Sequence, residues 1–347
     1  MPVQPIFAAG LDPVQAEAFF TKLGAPRYRA GQLLNWIYKR GVTTFGEMTD
    51  FPKTLRELIA EEITISCTTE IKRQEARDGT VKALLGLSDG RTIETALMPS
   101  TRVGGNTVCV SAQVGCAIGC PFCATGRQGF ERNLLAAEMV DQILYFKRFL
   151  GERGTITNVV FMGMGEPLAN YDNVIKAVTI INAPYGLGLG ARSMTISTAG
   201  MIPGIESLSH EALQVGLAIS LHAANDVMRN ELVPLNRKYP LTSLLSAVRR
   251  YTTLSGRRVS FEYCLFSGVN DSIPQAQELV RLLKGLNAHV NLIVANESNP
   301  SFKAPSRERV LAFEGELRRL SINTTLRRSY GREIEAACGQ LKSALST

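Results

Sequence analysis

From about residue 106 the chain alternates strand-forming with helix-forming segments, and this alternation limits its fold more than any other feature. Strands are expected at 107–111, 157–162, 193–197, 214–220, 259–265 and 289–294. Helices are expected at 136–150, 172–181, 241–254, 273–286 and 306–320. Repeated βα units imply a parallel sheet with crossover helices. Six of them close most of a barrel, whose chemistry belongs at the C-terminal ends of the strands. The expected class is therefore α/β, a partial (βα)6 barrel spanning residues 106–328.

Two smaller regions precede it. Residues 1–62 read as a helical module. Asp12 is a good N-cap, Pro13 fits the first helical position, and Ala16, Phe19, Phe20 and Leu23 recur at helical spacing before Gly24 closes the segment. A second helix is expected over 29–39, burying Leu33, Leu34 and Ile37. A third is expected over 52–62, with Leu55, Leu58 and Ile59 inward. Lys22, Arg27, Arg29, Lys39 and Arg40 flank the first two helices, as in a module that grips a nucleic-acid backbone; a plain packing appendage is the alternative. Residues 63–105 read as a short antiparallel β extension. Its strands are expected at 67–72, 80–87 and 91–98, and its turns at Asp78-Gly79 and Asp89-Gly90. A tail, 329–347, ends the chain.

Directly after the first barrel strand stand Cys116, Cys120 and Cys123, a C-x3-C-x2-C run with Phe122 before its last member. Three thiolates on one loop can hold three irons of a 4Fe–4S cluster, whereas full ligation by protein takes four cysteines. The fourth iron is left open to a small chelator, such as the amine and carboxylate of methionine or its adenosylated form. A structural zinc site takes four N or S ligands in paired spacings. Here no second C-x2-C pair exists, and His210, His222 and His289 lie far off in sequence.

Composition narrows the setting. No run of 18 apolar residues occurs, so no transmembrane helix is expected. The first ten residues lack the pattern of a signal peptide. Seven cysteines, an odd number, point to a reducing, cytoplasmic compartment. The net charge of +7 favours polyanionic partners. Between Lys303 and Arg332 eight basic residues face Glu308, Glu314 and Glu316, a local excess of +5 that suits either an RNA-facing patch or a solvated helix face.

Other polar groups fall at the expected strand ends. Gly163-Met164-Gly165-Glu166-Pro167 follows the second barrel strand, where glycine lets a ligand approach the backbone and Glu166 can accept from an ammonium. Ser197 ends the third strand, Ser220-Leu221-His222 ends the fourth, and Asn296 follows the sixth. Together they could hold a nucleoside and an amino acid on one rim. Cys109, in the first strand, and Cys338, on the tail, fit either a core or a catalytic role. Cys67 and Cys264 read as structural. Glu94 lies on the strand before the cysteine loop; a solvent-facing strand glutamate is its plainest reading.

The segment from Gly115 through Leu134 resembles the cluster segment of the RlmN/Cfr family of radical S-adenosylmethionine (SAM) RNA methyltransferases. So do the segments 163–168, 220–223, 268–272 and 336–341, together with Tyr28–Leu33 and Trp36–Tyr38. Around Asn296 the chain lacks the prolines usual in the family.

The resemblance implies a radical SAM barrel with a 4Fe–4S cluster on Cys116, Cys120 and Cys123. It also implies a SAM site built from Gly165, Glu166, Ser197, Ser220, Leu221, His222 and Asn296, and two SAM molecules consumed per turnover. Cys338 would take a methyl group from the first SAM. A radical generated from the second would activate that methyl group, which then joins the adenine ring and links RNA to Cys338. Glu94 would accept the ring proton, and Cys109 would attack the Cys338 sulfur, leaving a disulfide and releasing RNA methylated at adenine C2. The implied partners are 23S rRNA, tRNA next to the anticodon, and an electron donor such as flavodoxin or ferredoxin, with no membrane. Two alternatives stand beside this reading: Cfr-type methylation at C8, which confers antibiotic resistance, and a non-catalytic zinc RNA-binding protein.

Overall fold

Ten strands form one sheet, and their order in space follows their order in the chain. They are β1 (Thr68–Glu75), β2 (Val81–Leu87), β3 (Thr92–Pro99), β4 (Gly105–Cys109) and β5 (Thr155–Phe161), followed by β6 (Met194–Thr198), β7 (Gly216–Ser220), β8 (Val259–Leu265), β9 (Ala288–Val294) and β10 (Thr324–Leu326). The computed structural model describes residues 6–100, 105–296 and 299–342. Part of the β extension (101–104), two residues after Asn296 (297–298) and the last five of the tail lie outside that range.

Strands β4 to β10 are mutually parallel, and β1 to β4 pair antiparallel. The extension is thus no separate sheet. β3 pairs with β4 in a register that sets Ala96 opposite Cys109, so the barrel sheet runs on into it. Along most of the parallel strands buried apolar residues recur at every second position, on one face of the sheet. Val159, Phe161, Ile196, Leu217, Ile219, Phe261, Tyr263, Val290 and Leu292 are all buried.

Helices α5 (Ala136–Leu150), α6 (Tyr171–Asn182), α9 (Leu241–Ser255), α10 (Ile273–Leu283) and α11 (Arg307–Arg319) stand where the periodicity placed them. Other elements went unforeseen, three of them in the barrel's later half. The third and fourth crossovers carry short helices, α7 (Ile202–Ser209) and α8 (Asp226–Leu232), and the barrel gains a seventh parallel strand, β10. At three residues, β10 is too short for a period of two to show.

The N-terminal module holds α1 (Pro13–Lys22), α2 (Arg29–Leu34) and α3 (Lys53–Glu62). Asp12 caps α1 through a full capping box with Gln15. Residues Asn35–Arg40 carry α2 onward as a π-helical turn that buries Trp36, Ile37 and Tyr38. Of the three α3 residues expected inward, only Ile59 is buried; Leu58 is exposed, because one narrow stripe of this short helix meets the core.

Candidate active site

The cysteine loop hangs from the C-terminal end of β4. A short hairpin, Gln113–Gly115 against Phe130–Asn133, pins its two ends, with α4 (Ala124–Gln128) between them. Phe122 anchors the loop to the barrel: its ring lies 5.1 Å from both His222 and Phe266. Asn299, from beyond β9, donates to the Pro121 carbonyl at 2.9 Å.

The loop thiols act on one another electrostatically, most clearly at Cys120. Burial, then Cys123 and Cys116, push Cys120 well up. Burial pushes Cys116 to about 12, against the pull of N–H groups from Ile118 and Gly119. Thiolates that raise one another call for a cation, and backbone N–H groups aimed at a thiolate suit cluster sulfur. The donor set fits an iron–sulfur cluster.

The rim beside the loop is wired by buried polar side chains. Glu166 is buried; it accepts from the backbone N–H of Ala199 at 2.7 Å and of Leu168 at 3.1 Å, tying the end of β5 to that of β6. Burial raises its pKa. Gln113 packs against Gly165 where a side chain would stand. At φ +95° a Cβ there would stand 2.4 Å from that of Gln113, whose side chain accepts from the Glu166 N–H at 2.9 Å. Ser197 and Ser220 face each other, hydroxyl to hydroxyl, at 3.4 Å.

Leu221 and His222, also expected at SAM, are held by bonds within the rim. The Leu221 side chain is fully buried, its N–H donates to the Glu262 carbonyl and its own carbonyl accepts from Arg229. His222 is buried in the left-handed region at φ +57°, and its Nδ1 accepts from the Cys264 N–H at 3.0 Å. Burial, then Arg229, lowers it to about 3, so the ring stays neutral. Both residues shape the rim.

Arg229 carries no signal in the sequence beyond an isolated charge, yet it ties this rim together. Fully buried, its guanidinium donates to the carbonyls of Leu221 (3.1 Å), Ala199 (2.6 Å) and Ser220 (3.1 Å), and to Asn236 (2.8 Å). Burial lowers it to about 10. Asn270 adds bonds to the carbonyls of His222 (2.8 Å) and Cys264 (2.7 Å).

The tail returns to the same end of the barrel and lies between the cluster loop and the β extension. Gly339 accepts from Ala124 N at 2.8 Å, Leu341 from the Thr125 hydroxyl at 2.6 Å, and Gly331 N donates to Asp78 at 2.9 Å. Asn296, expected at SAM, donates to the Cys338 carbonyl at 3.3 Å and accepts from Arg332 at 2.9 Å. In this arrangement it holds the tail. Cys338 is exposed as a residue, but protein atoms crowd its sulfur, and its charge acts on Cys109 and Cys264. Burial, then Cys338, pushes buried Cys109 up to about 12. Cys264, read as structural, also feels Cys338 after burial.

Arg327 belongs to this centre rather than to a basic surface. From just beyond β10 it reaches Glu262 on β8 at 3.3 Å and the Met162 sulfur at the end of β5 at 3.9 Å. Burial opposes its charge, but Cys338, Glu262 and Cys109 raise its pKa overall. On Cys338, burial raises the thiol and Arg327 pulls it back. Arg309, Arg318 and Arg319 pair with Asp271, Glu314 and Glu316, so the +5 stretch is no uniform patch. Glu94, far from facing solvent, is buried; its carboxylate meets Lys82 at 2.9 Å and the Lys342 N–H at 2.8 Å.

Known proteins match this chain end to end. Residues 9–65 fit the ribosomal RNA large subunit methyltransferase N-terminal domain, and residues 110–283 fit the radical SAM superfamily. The dual-specificity RNA methyltransferase RlmN of Syntrophobacter fumaroxidans is 45% identical over 98% of both chains. The ribosomal RNA large subunit methyltransferase N of Nitrosopumilus maritimus is 48% identical over 95% of this chain and 97% of its own. The crystal structure of a radical SAM methyltransferase from Sphaerobacter thermophilus superposes with a TM-score of 0.95 at 46% identity, covering 98% of this chain and all of that one. The chain belongs to the RlmN family of radical SAM RNA methyltransferases.

Proposed function

We propose that the protein methylates C2 of adenine in 23S rRNA, in the peptidyl-transferase region, and in tRNA next to the anticodon, through a methylated Cys338 and a covalent protein–RNA adduct. The observation that carries this reading is that the tail bearing Cys338 is bonded to the Cys116, Cys120 and Cys123 loop through Gly339 and Ala124, where its thiol acts electrostatically on Cys109. Family membership brings a 4Fe–4S cluster and SAM, which together supply one-electron cleavage chemistry to the site.

The three loop cysteines would hold the cluster. Glu166, Ser197 and Ser220 would orient SAM on the rim that Arg229 keeps in shape. Cys338 would accept the methyl group and carry it to the base, because its tail can bring the thiol to either partner. Glu94 would take the ring proton, and Cys109 would attack the Cys338 sulfur to release the RNA. Arg327, between both thiols, favours the thiolate that each of these nucleophilic steps needs. The helical module, residues 1–62, would grip folded RNA; Tyr28 is exposed there beside Arg29, and the Arg40 guanidinium stacks 3.9 Å from the Trp36 ring centre. Among the described residues no helix is long and apolar enough to cross a membrane. A cytoplasmic setting with a flavodoxin or ferredoxin as electron donor fits this chemistry.

The test is an anaerobic assay of the iron-reconstituted protein with SAM, a reductant and protein-free 23S RNA, followed by nucleoside mass spectrometry. The expected product is 2-methyladenosine. An 8-methyladenosine peak would move the protein to the resistance-type activity, and the absence of both would overturn the substrate.

A further inference from the structure

Strand β2 sets Lys82 diagonally across from Glu94 on β3, both on the same face of the sheet. Their charged ends meet at 2.9 Å, with side-chain exposures of 6% and 9%. Burying two ions is costly unless their remaining hydrogen-bonding capacity is also used. Here it is: Lys82 also donates to the Glu335 carbonyl at 3.3 Å, and the second Glu94 oxygen accepts from Lys342 N at 2.8 Å. Lys72, Gln74 and Glu333 help to line a cavity of about 300 Å³ beside the pair.

The two bonds to the carboxylate differ in permanence. Lys82 is carried by a strand paired on both sides. Lys342 is carried by the tail, whose described residues hold one helical element, the single turn Arg332–Ile334. The Glu94 backbone is also fixed, since its carbonyl accepts from the buried Ser111 hydroxyl at 2.6 Å. A shift of the tail would therefore leave Oε1 with Lys82 and free Oε2.

We propose that Lys82 is the positioning residue of the proton acceptor: it holds Glu94 as a carboxylate by Oε1 and leaves Oε2 as the oxygen that receives the adenine proton. This rests on the reading of Glu94 as that acceptor. In the step, the C2–H bond of the RNA adduct breaks and its electron pair stays in the ring. An O–H bond forms at Oε2, leaving a neutral carboxyl beside the ammonium. Methylation of Cys338 precedes this step and needs neither residue.

The test compares Lys82→Met, Lys82→Arg and Glu94→Ala in the full, cluster-loaded protein. Mass spectrometry follows Cys338 methylation, denaturing gels follow the protein–RNA adduct, and nucleoside analysis follows release. Lys82→Met is expected to methylate Cys338 normally, to accumulate adduct and to release product roughly a hundredfold more slowly, the scale of a lost acid–base contribution. Lys82→Arg, which keeps the cation, is expected to clear the adduct. If Lys82→Met releases product normally while Glu94→Ala stalls at the adduct, the role of Lys82 is wrong and that of Glu94 survives. If Glu94→Ala turns over normally, the reading of Glu94 fails and takes this inference with it. Loss of Cys338 methylation in Lys82→Met, or no recovery in Lys82→Arg, would mean that the pair merely supports the fold and would overturn the proposal.

Discussion

The barrel rim and the C-terminal tail supply the two sides of one site, but they are built differently. On the rim, side chains cross-link successive strand ends: Glu166 joins β5 to β6, Arg229 joins β6 to β7, and His222 with Asn270 joins β7 to β8. The tail is held by scattered bonds, six of them through its own backbone atoms at Gly331, Glu335, Cys338, Gly339, Leu341 and Lys342. A platform that binds a cofactor gains from rigidity, because positioning is most of its work. An arm that must take a methyl group in one place and deliver it in another gains from weak, replaceable attachments.

Four substitutions bear on that contrast, in order of decreasing effect. Cys338→Ala removes the methyl carrier and is expected to abolish methylated RNA altogether, while leaving iron content and thermal stability unchanged; a methylated product would break the division into platform and arm. Arg229→Met strips partners from three rim carbonyls and should cost about 3 kcal/mol or more of stability by denaturant titration, with iron loading falling in parallel. Gly165→Ala forces a left-handed backbone onto an alanine and a Cβ into Gln113, a destabilisation of about 1–3 kcal/mol readable in the same titration. Asn296→Ala loosens only the tail. Faster hydrogen exchange is expected over residues 336–342, with less than about 1 kcal/mol of stability lost. A tenfold rise in KM for SAM would instead return Asn296 to the rim.

The legibility of this site in the sequence follows the same division. Elements with a clear period were readable: α5 and β8 stand within the expected bounds because a 15-residue amphipathic run and the alternation of Val259, Phe261, Tyr263 and Leu265 leave little choice. The cysteine loop was readable because its chemistry depends on local spacing. What could not be read is where long side chains go. Arg327 counted as one positive charge in a basic stretch, yet it turns inward to Glu262, 65 residues away. Glu94 looked solvent-facing because no local pattern reports the tail 248 residues later that covers it. Nor did the glycines before Glu166 reveal that Gln113, 52 residues away in the chain, packs against Gly165.

The agreement between chain order and strand order has a consequence for biosynthesis. Each new strand emerging from the ribosome finds its predecessor already in place, so the sheet can grow at one edge as translation proceeds. Cys338 breaks that order: it follows every strand of the sheet and must travel back to a centre whose other groups begin at Glu94. On the proposed mechanism a nascent chain therefore completes its scaffold and cluster loop well before it holds the thiol that would carry the methyl group, and the enzyme stays silent until then.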